Sequence, residues 1–92
     1  MIELQWTGAA LADLSRLYEF LRPLNEAAAA RAVQSLVAAP NTLQEFPRIG
    51  EGLEGFEGRE VRRLLIGKYE IRYEVSRDVV VILRLWHTRE SR

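Results

Sequence analysis

From Tyr69 to Val75 the chain alternates without interruption, with Tyr69, Ile71, Tyr73 and Val75 pointing one way and Glu70, Arg72 and Glu74 the other. That is the period of a half-buried β-strand. After Ser76, Arg77 and Asp78, the predicted hairpin loop, the run from Val79 to Trp86 is apolar on both parities except for Arg84, as suits a central strand covered on both faces. Val61 to Ile66 reads as a third strand, joined to the alternating one by Gly67 and Lys68, a two-residue connection of the glycine-first kind. The pattern predicts a three-stranded antiparallel meander from Val61 to Trp86, which the rest of the chain must cover.

Ahead of it, Ile2, Leu4 and Trp6 alternate with Glu3 and Gln5 in a short strand whose sheet neighbour the pattern does not specify. Thr7 stands where an N-cap belongs. A helix follows, with Ala10, Leu14, Leu17 and Leu21 in one apolar stripe flanked by Leu11 and Tyr18; Asp13, Arg16, Glu19 and Phe20 lie off its centre. Pro23 stops this helix, and Asn25 caps an alanine-rich second one with the stripe Ala29, Ala32, Val33, Leu36 and Val37, which Pro40 ends or bends. Leu43 and Phe46 are expected as core plugs under the hairpin. Arg48 to Gly58 carries Gly50, Gly52, Gly55 and Gly58 among glutamates and reads as a surface loop. The expected fold is one α+β domain over residues 1–92: an N-terminal strand, then an antiparallel helical hairpin packed on a mainly antiparallel sheet whose last three strands form the meander. Its expected core is Leu14, Leu17, Leu21, Val33, Leu36, Ile71, Tyr73, Val81, Leu83 and Leu85.

Composition narrows the chemistry. With no cysteine and one histidine, His87, neither a thiolate nor a multi-histidine metal site is available, and no motif calls for a cofactor. No apolar run approaches the ~20 residues of a membrane span, and Met1 to Trp6 lacks a signal-peptide pattern, so no membrane partner is expected and the expected location is cytoplasmic. The formal charge is zero, but Met1–Glu60 is acidic and Val61–Arg92 basic. Arg62, Arg63, Arg84, Arg89 and Arg92, with Trp86 and His87, make the strand region a candidate platform for an acidic partner.

Trp6-Thr7, Ala9 to Leu14 followed by Tyr18, Phe46 to Gly50, Arg59 to Arg62, Gly67 to Tyr73 and Ile82 to Glu90 together resemble the ParE branch of the RelE/ParE toxin superfamily, over essentially the whole chain. The resemblance implies the toxin of a type II toxin-antitoxin operon, neutralised in a hetero-oligomer by a cognate ParD-like antitoxin and acting on DNA gyrase. The alternative it implies is a RelE-like endoribonuclease that cuts ribosome-bound mRNA; a third is an inactive relative acting only as a binding module. RNA cleavage through the 2′-hydroxyl needs a base, cations and an acid. Arg62, Arg63, Arg72 and Arg84 are the candidate cations, Glu74 or His87 the base and His87 the acid, with Arg62, Arg84 and His87 the minimal nuclease set. The gyrase reading needs no catalytic residue and takes Arg62, Arg63, Arg84, Trp86, His87, Arg89 and Arg92 as target-binding. It departs less from the sequence, because the loop ahead of the strands is acidic, with Glu51, Glu54 and Glu57, and Thr88 follows His87. Phe20, Leu53 and Phe56, apolar and outside the expected core, are the candidate antitoxin contacts.

Overall fold

A computed structural model describes residues 2–90, so Arg92 lies outside the described residues. The chain forms β1 (Glu3–Trp6), α1 (Gly8–Leu21), α2 (Glu26–Ala38), a 3₁₀ segment (Ala39–Gln44), β2 (Glu51–Gly52), β3 (Glu60–Ile66), β4 (Tyr69–Ser76) and β5 (Val79–His87). One five-stranded sheet has the order β1-β5-β4-β3-β2. The meander is present as expected. β1 finds its neighbour in β5, paired in parallel with Glu3 opposite Val79 and Trp6 opposite Ile82. The intervening helical hairpin and strands provide the crossover that parallel pairing requires.

Both helices begin where the sequence places their caps. The Thr7 hydroxyl accepts from Ala10 N–H and the Asn25 side chain from Ala28 N–H. They lie with the 3₁₀ segment on one face of the sheet, and Ala10, Leu17, Leu36, Leu43, Ile71, Tyr73, Val75, Val80, Ile82 and Leu85 close the core between them.

Several expectations are corrected. The loop after β4 is a two-residue turn, since Ser76 belongs to the strand; Arg77 takes the left-handed φ of 43° that Gly67, at 58°, takes in the other hairpin. Leu43 is buried, but Phe46 is 57% exposed because the 3₁₀ segment ends before it and turns it outward. Val81 and Leu83 are only half-buried. The cause is a β-bulge: Tyr73 pairs with Ile82 and Arg72 with Arg84, leaving Leu83 as the extra residue. Parity therefore switches along β5, with Val80 and Ile82 inward before the bulge and Leu85 and His87 inward after it. On α1 the helix is rotated from its expected stripe, so that Asp13 is buried and Leu11 is 53% exposed.

The glycine-rich stretch also contains β2, which pairs antiparallel with Arg62 and Arg63 of β3. Gly50 immediately before it is buried and donates its N–H to the Tyr73 hydroxyl at 3.0 Å. A Cβ there would stand 2.5 Å from the Arg63 carbonyl oxygen and 2.6 Å from the Tyr73 hydroxyl, whereas the nearest atom to a Cβ at Gly52 is 3.9 Å away. Gly50→Ala should therefore cost about 1–3 kcal/mol through overpacking, and Gly52→Ala less than about 0.5 kcal/mol. Urea unfolding of the two variants checks this; equal stabilities would show that the segment is not seated against Tyr73.

Candidate functional site

β1 pairs with β5 only as far as Ile82, and the rest of that edge of β5 is bonded instead by side chains. Thr7 donates from its backbone to the Ile82 carbonyl and from its hydroxyl to the Leu83 carbonyl. Asp13 accepts the Leu85 N–H at 2.8 Å, Arg16 donates to the Leu85 carbonyl at 2.8 Å, and Glu90 accepts the His87 N–H at 2.8 Å. Arg16 also pairs with Glu90 and, at 3.1 Å, with Asp13. Arg84 closes the cluster on Asp13, with Nε at 2.7 Å and Nη2 at 3.1 Å. Burial alone would push the Asp13 carboxyl up, but the hydrogen bonds from Arg84, Leu85 N–H and Arg16 outweigh it and hold the group below its ordinary value.

Beyond the bulge, Arg84 and Trp86 emerge on the face of the sheet opposite the helices. There Trp86 pairs with Glu70, and Arg84 stands directly across from Arg72. Two arginines side by side would repel. Their charge is offset by Trp86, whose ring centroid lies 4.7 Å from the Arg72 guanidinium carbon and 5.3 Å from that of Arg84, and by their acids. Arg72 donates to Glu70 at 3.0 Å and Arg84 to Asp13. Glu70, expected on a solvated face, is buried beneath these side chains.

The predicted target-facing residues do not all share this face. Arg63 does, held by Glu51 at 2.7 Å and lying 3.8 Å from Glu70. Arg62, its neighbour along β3, points to the helix side, where it donates to the Gly50 carbonyl and to Glu60. Arg89 is exposed in the turn after β5. His87 points inward and is buried, its ring 5.1 Å from Tyr69 and 5.7 Å from Phe20, and its Nδ1 accepts the Arg89 N–H. Burial first, then the charges of Arg89 and Lys68, lower its pKa, so the neutral ring is favoured. The nuclease candidates are therefore dispersed, with Arg62 and His87 on one face, Arg84 tied to Asp13, and Glu74 paired with Arg59 at the far end of β4.

The antitoxin candidates are dispersed as well. Phe20 is 48% exposed against His87, while Leu53 and Phe56 are half-buried in the glycine loop beside β3, with Arg59 5.9 Å from the Phe56 ring centre. Most of the basic charge in the strands is matched by acids, including Glu51, Glu60 and Asp13 from the acidic first part of the chain. The residue that sequence reasoning missed is Asp13. Its signal is the spacing Ala10, Asp13, Leu17, Phe20, a second helical stripe that carries a carboxylate among apolar side chains.

Comparison with known proteins agrees with this architecture. The family model for the ParE toxin of type II toxin-antitoxin system, parDE, matches residues 4–92. Toxin RelE2 of Caulobacter vibrioides is 33% identical over 87 residues, covering 95% of this chain and 96% of that protein. A chain of the chromosomal ParDE TA system from P. aeruginosa superposes with a TM-score of 0.79 at 30% identity, over 95% of this chain and 96% of that one. The archaeal RelE-RelB complex from Pyrococcus horikoshii OT3 contains a chain that shares the fold, with a TM-score of 0.66 at 18% identity over 98% of both.

Because folding lowers the Asp13 pKa, its carboxylate contributes stability that is fully present above the ordinary value of 3.8 and is lost as pH falls through the lower folded value. Asp13→Asn should reduce stability at pH 7 by about 1–3 kcal/mol, since one oxygen must be replaced by a donor facing two guanidinium groups. It should also flatten the acid limb of the stability profile. Denaturant unfolding between pH 2 and pH 7 measures both, and an unchanged acid limb would remove Asp13 from its central place.

Proposed function

The chain belongs to the ParE toxin family of type II toxin-antitoxin systems, and from that premise we propose that it inhibits DNA gyrase by binding it and is neutralised by a ParD-like antitoxin. The observation that carries this reading is Trp86. It is a half-exposed aromatic on the helix-free face of the sheet, flanked by Arg72 and Arg84. A large aromatic with two guanidinium groups at its ring is the composition of an interface anchor. Arg63 and Arg84 on the same face and the exposed Arg89 complete the proposed target surface; Arg62 and His87, turned to the other face, are left out of it.

The same geometry bears on the ribonuclease alternative, which the name of the 33% identical relative, Toxin RelE2, keeps in view. General acid catalysis by His87 would need the imidazolium, the form that its burial disfavours. The two arginines of the minimal nuclease set, Arg62 and Arg84, are engaged with Glu60 and Asp13. Binding without chemistry is therefore the better supported mode of action.

Substitutions that probe it must spare the β5 edge. Arg84→Glu would disrupt Asp13, and deleting 88–92 would remove Glu90, which binds Arg16 and the His87 N–H. Trp86→Ala and Arg89→Glu are the better probes, with His87→Gln as the chemical control. In purified assays of gyrase supercoiling and ribosome-dependent mRNA cleavage, the wild type should inhibit gyrase and leave the message intact. Trp86→Ala should raise the inhibitory concentration by roughly tenfold or more, the loss of one interface anchor. His87→Gln should stay within about threefold of wild type, a difference under about 1 kcal/mol. Cleaved mRNA that disappears with His87→Gln would replace this reading with the nuclease.

A further inference from the structure

On the helix-free face of the sheet, two rows of side chains run across β3, β4 and β5. The register places Arg63, Arg72 and Arg84 in one row and Leu65, Glu70 and Trp86 in the next. The second row has a carboxylate between two apolar neighbours. Glu70 is nonetheless the buried member, at 1% exposure, whereas Leu65 is 55% exposed and Trp86 half-exposed. The charged side chain is thus the one taken out of water, against the usual preference of glutamate. An apolar residue in place of Glu70 would join Leu65 and Trp86 in a continuous cross-strand stripe and would need no counter-ion.

Glu70 acts on the arginine row. Arg72 donates to it at 3.0 Å, and Arg63 lies 3.8 Å from it. The side chains of Arg72 and Arg63 are 27% and 36% exposed, so the cations lie nearer the surface than the carboxylate that balances them. Arg72, in the middle of the row, also lies 4.7 Å from the Trp86 ring centre. Its Nε–H is buried and meets no acceptor among the described residues. An unsatisfied donor of this kind destabilises the free chain, and an oxygen brought by a binding partner would relieve it. Asp13 makes the contrast. It too is a buried carboxylate under an arginine, but it accepts the Leu85 N–H and so closes the β5 edge. The contacts of Glu70 with Arg72 and Arg63 close no edge, and they fix guanidinium groups on the face that carries Trp86.

We infer that Glu70 is a positioning residue for target recognition: it orients Arg72 beside Trp86, and Arg72 binds a carboxylate of the target protein. This rests on the gyrase-binding reading above, and it adds Arg72 to the surface formed by Arg63, Arg84, Trp86 and Arg89. A carboxylate offers the planar pair of oxygens that a guanidinium fork binds, and a row of three arginines suits an acidic segment. Lysine in place of Arg72 would keep the charge but neither the fork nor the stacking on the ring. A buried charge kept where an apolar side chain would fit is a conflict between local pattern and fold, the kind that marks a functional position.

The test measures inhibition of gyrase supercoiling by the whole chain, with thermal unfolding of each variant alongside. Wild type is the first arm: if it spares gyrase, the target reading fails and this proposal with it. The double variant Glu70→Met, Arg72→Met replaces the ion pair by apolar side chains, so it should unfold at or above the wild-type temperature. Its inhibitory concentration should rise roughly tenfold or more. Glu70→Gln, which leaves Arg72 in place, and Arg72→Lys should each raise that concentration by about threefold or more with little change in unfolding. Combined, these two changes should weaken inhibition no further than the stronger of them alone, because the carboxylate acts through the guanidinium. Wild-type inhibition by the apolar double variant, or full additivity of Glu70→Gln and Arg72→Lys, would overturn the proposal and leave the gyrase reading intact. If the apolar variant fails to fold, Arg72→Lys decides: inhibition at wild-type strength would assign the pair to the fold and overturn the proposal, and weakened inhibition at an unchanged unfolding temperature would uphold it.

Discussion

A four-residue strand paired with a nine-residue one leaves backbone groups that must be satisfied by something other than a strand. An amide left bare near the core costs about 1–3 kcal/mol, a large share of the roughly 5–15 kcal/mol by which a domain is stable. Here α1 supplies the partners. Thr7 caps the helix and bonds the Leu83 carbonyl, while Asp13 and Arg16, one turn apart on the helix, take the N–H and the carbonyl of Leu85. The helix therefore cannot rotate to bury its most apolar stripe. Leu11 is left exposed so that a carboxylate can reach the sheet edge.

The same edge determines which side chains the sheet presents. β1 ends opposite Ile82, and the bulge at Leu83 follows at once. Without that extra residue the inward parity of Val80 and Ile82 would continue to Arg84 and Trp86, placing a guanidinium in the core at a cost that no available partner offsets. With it, Leu85 and His87 fill the inner side, while Arg84 and Trp86 reach the open face, where Arg84 curls back to Asp13. The bulge thus links a requirement of the fold to the placement of the proposed target anchor.

The elements themselves were legible from periodicity and caps. The meander, both helices, Thr7 and Asn25 stand where alternation, helical spacing and capping chemistry put them, because each is dictated by local covalent geometry. What the pattern did not carry was the relation between elements. A run apolar on both parities, Val79 to Trp86, contains no mark of the bulge, so Val81 and Leu83 were expected inside where Val80 and Ile82 are found. Asp13 looked like a solvated residue because its partners, Leu85 and Arg84, are more than seventy positions away in the chain. The basic character of Val61–Arg92 was legible as a count but not as a surface, since whether an arginine is available depends on which acid the fold brings to it. Phe20 was recognised as off the stripe, but the ring it rests on, His87, could be identified only with the sheet in place.

The proposed target surface and the ring contacts of Phe20, His87 and Tyr69 lie back to back on the same strand pair. Tyr69 pairs with His87 and faces the helix side, whereas the next pair, Glu70 with Trp86, faces the other way. Alternation places them on opposite sides of the sheet through adjacent backbone units. Packing of Phe20 and Tyr69 on His87 therefore helps to fix the backbone from which Glu70 and Trp86 project. On one side the pair is closed, because β5 beyond Ile82 is covered by α1, Arg16 and Glu90. The short β2 leaves the opposite edge open at Leu65, which is 55% exposed on the Trp86 face.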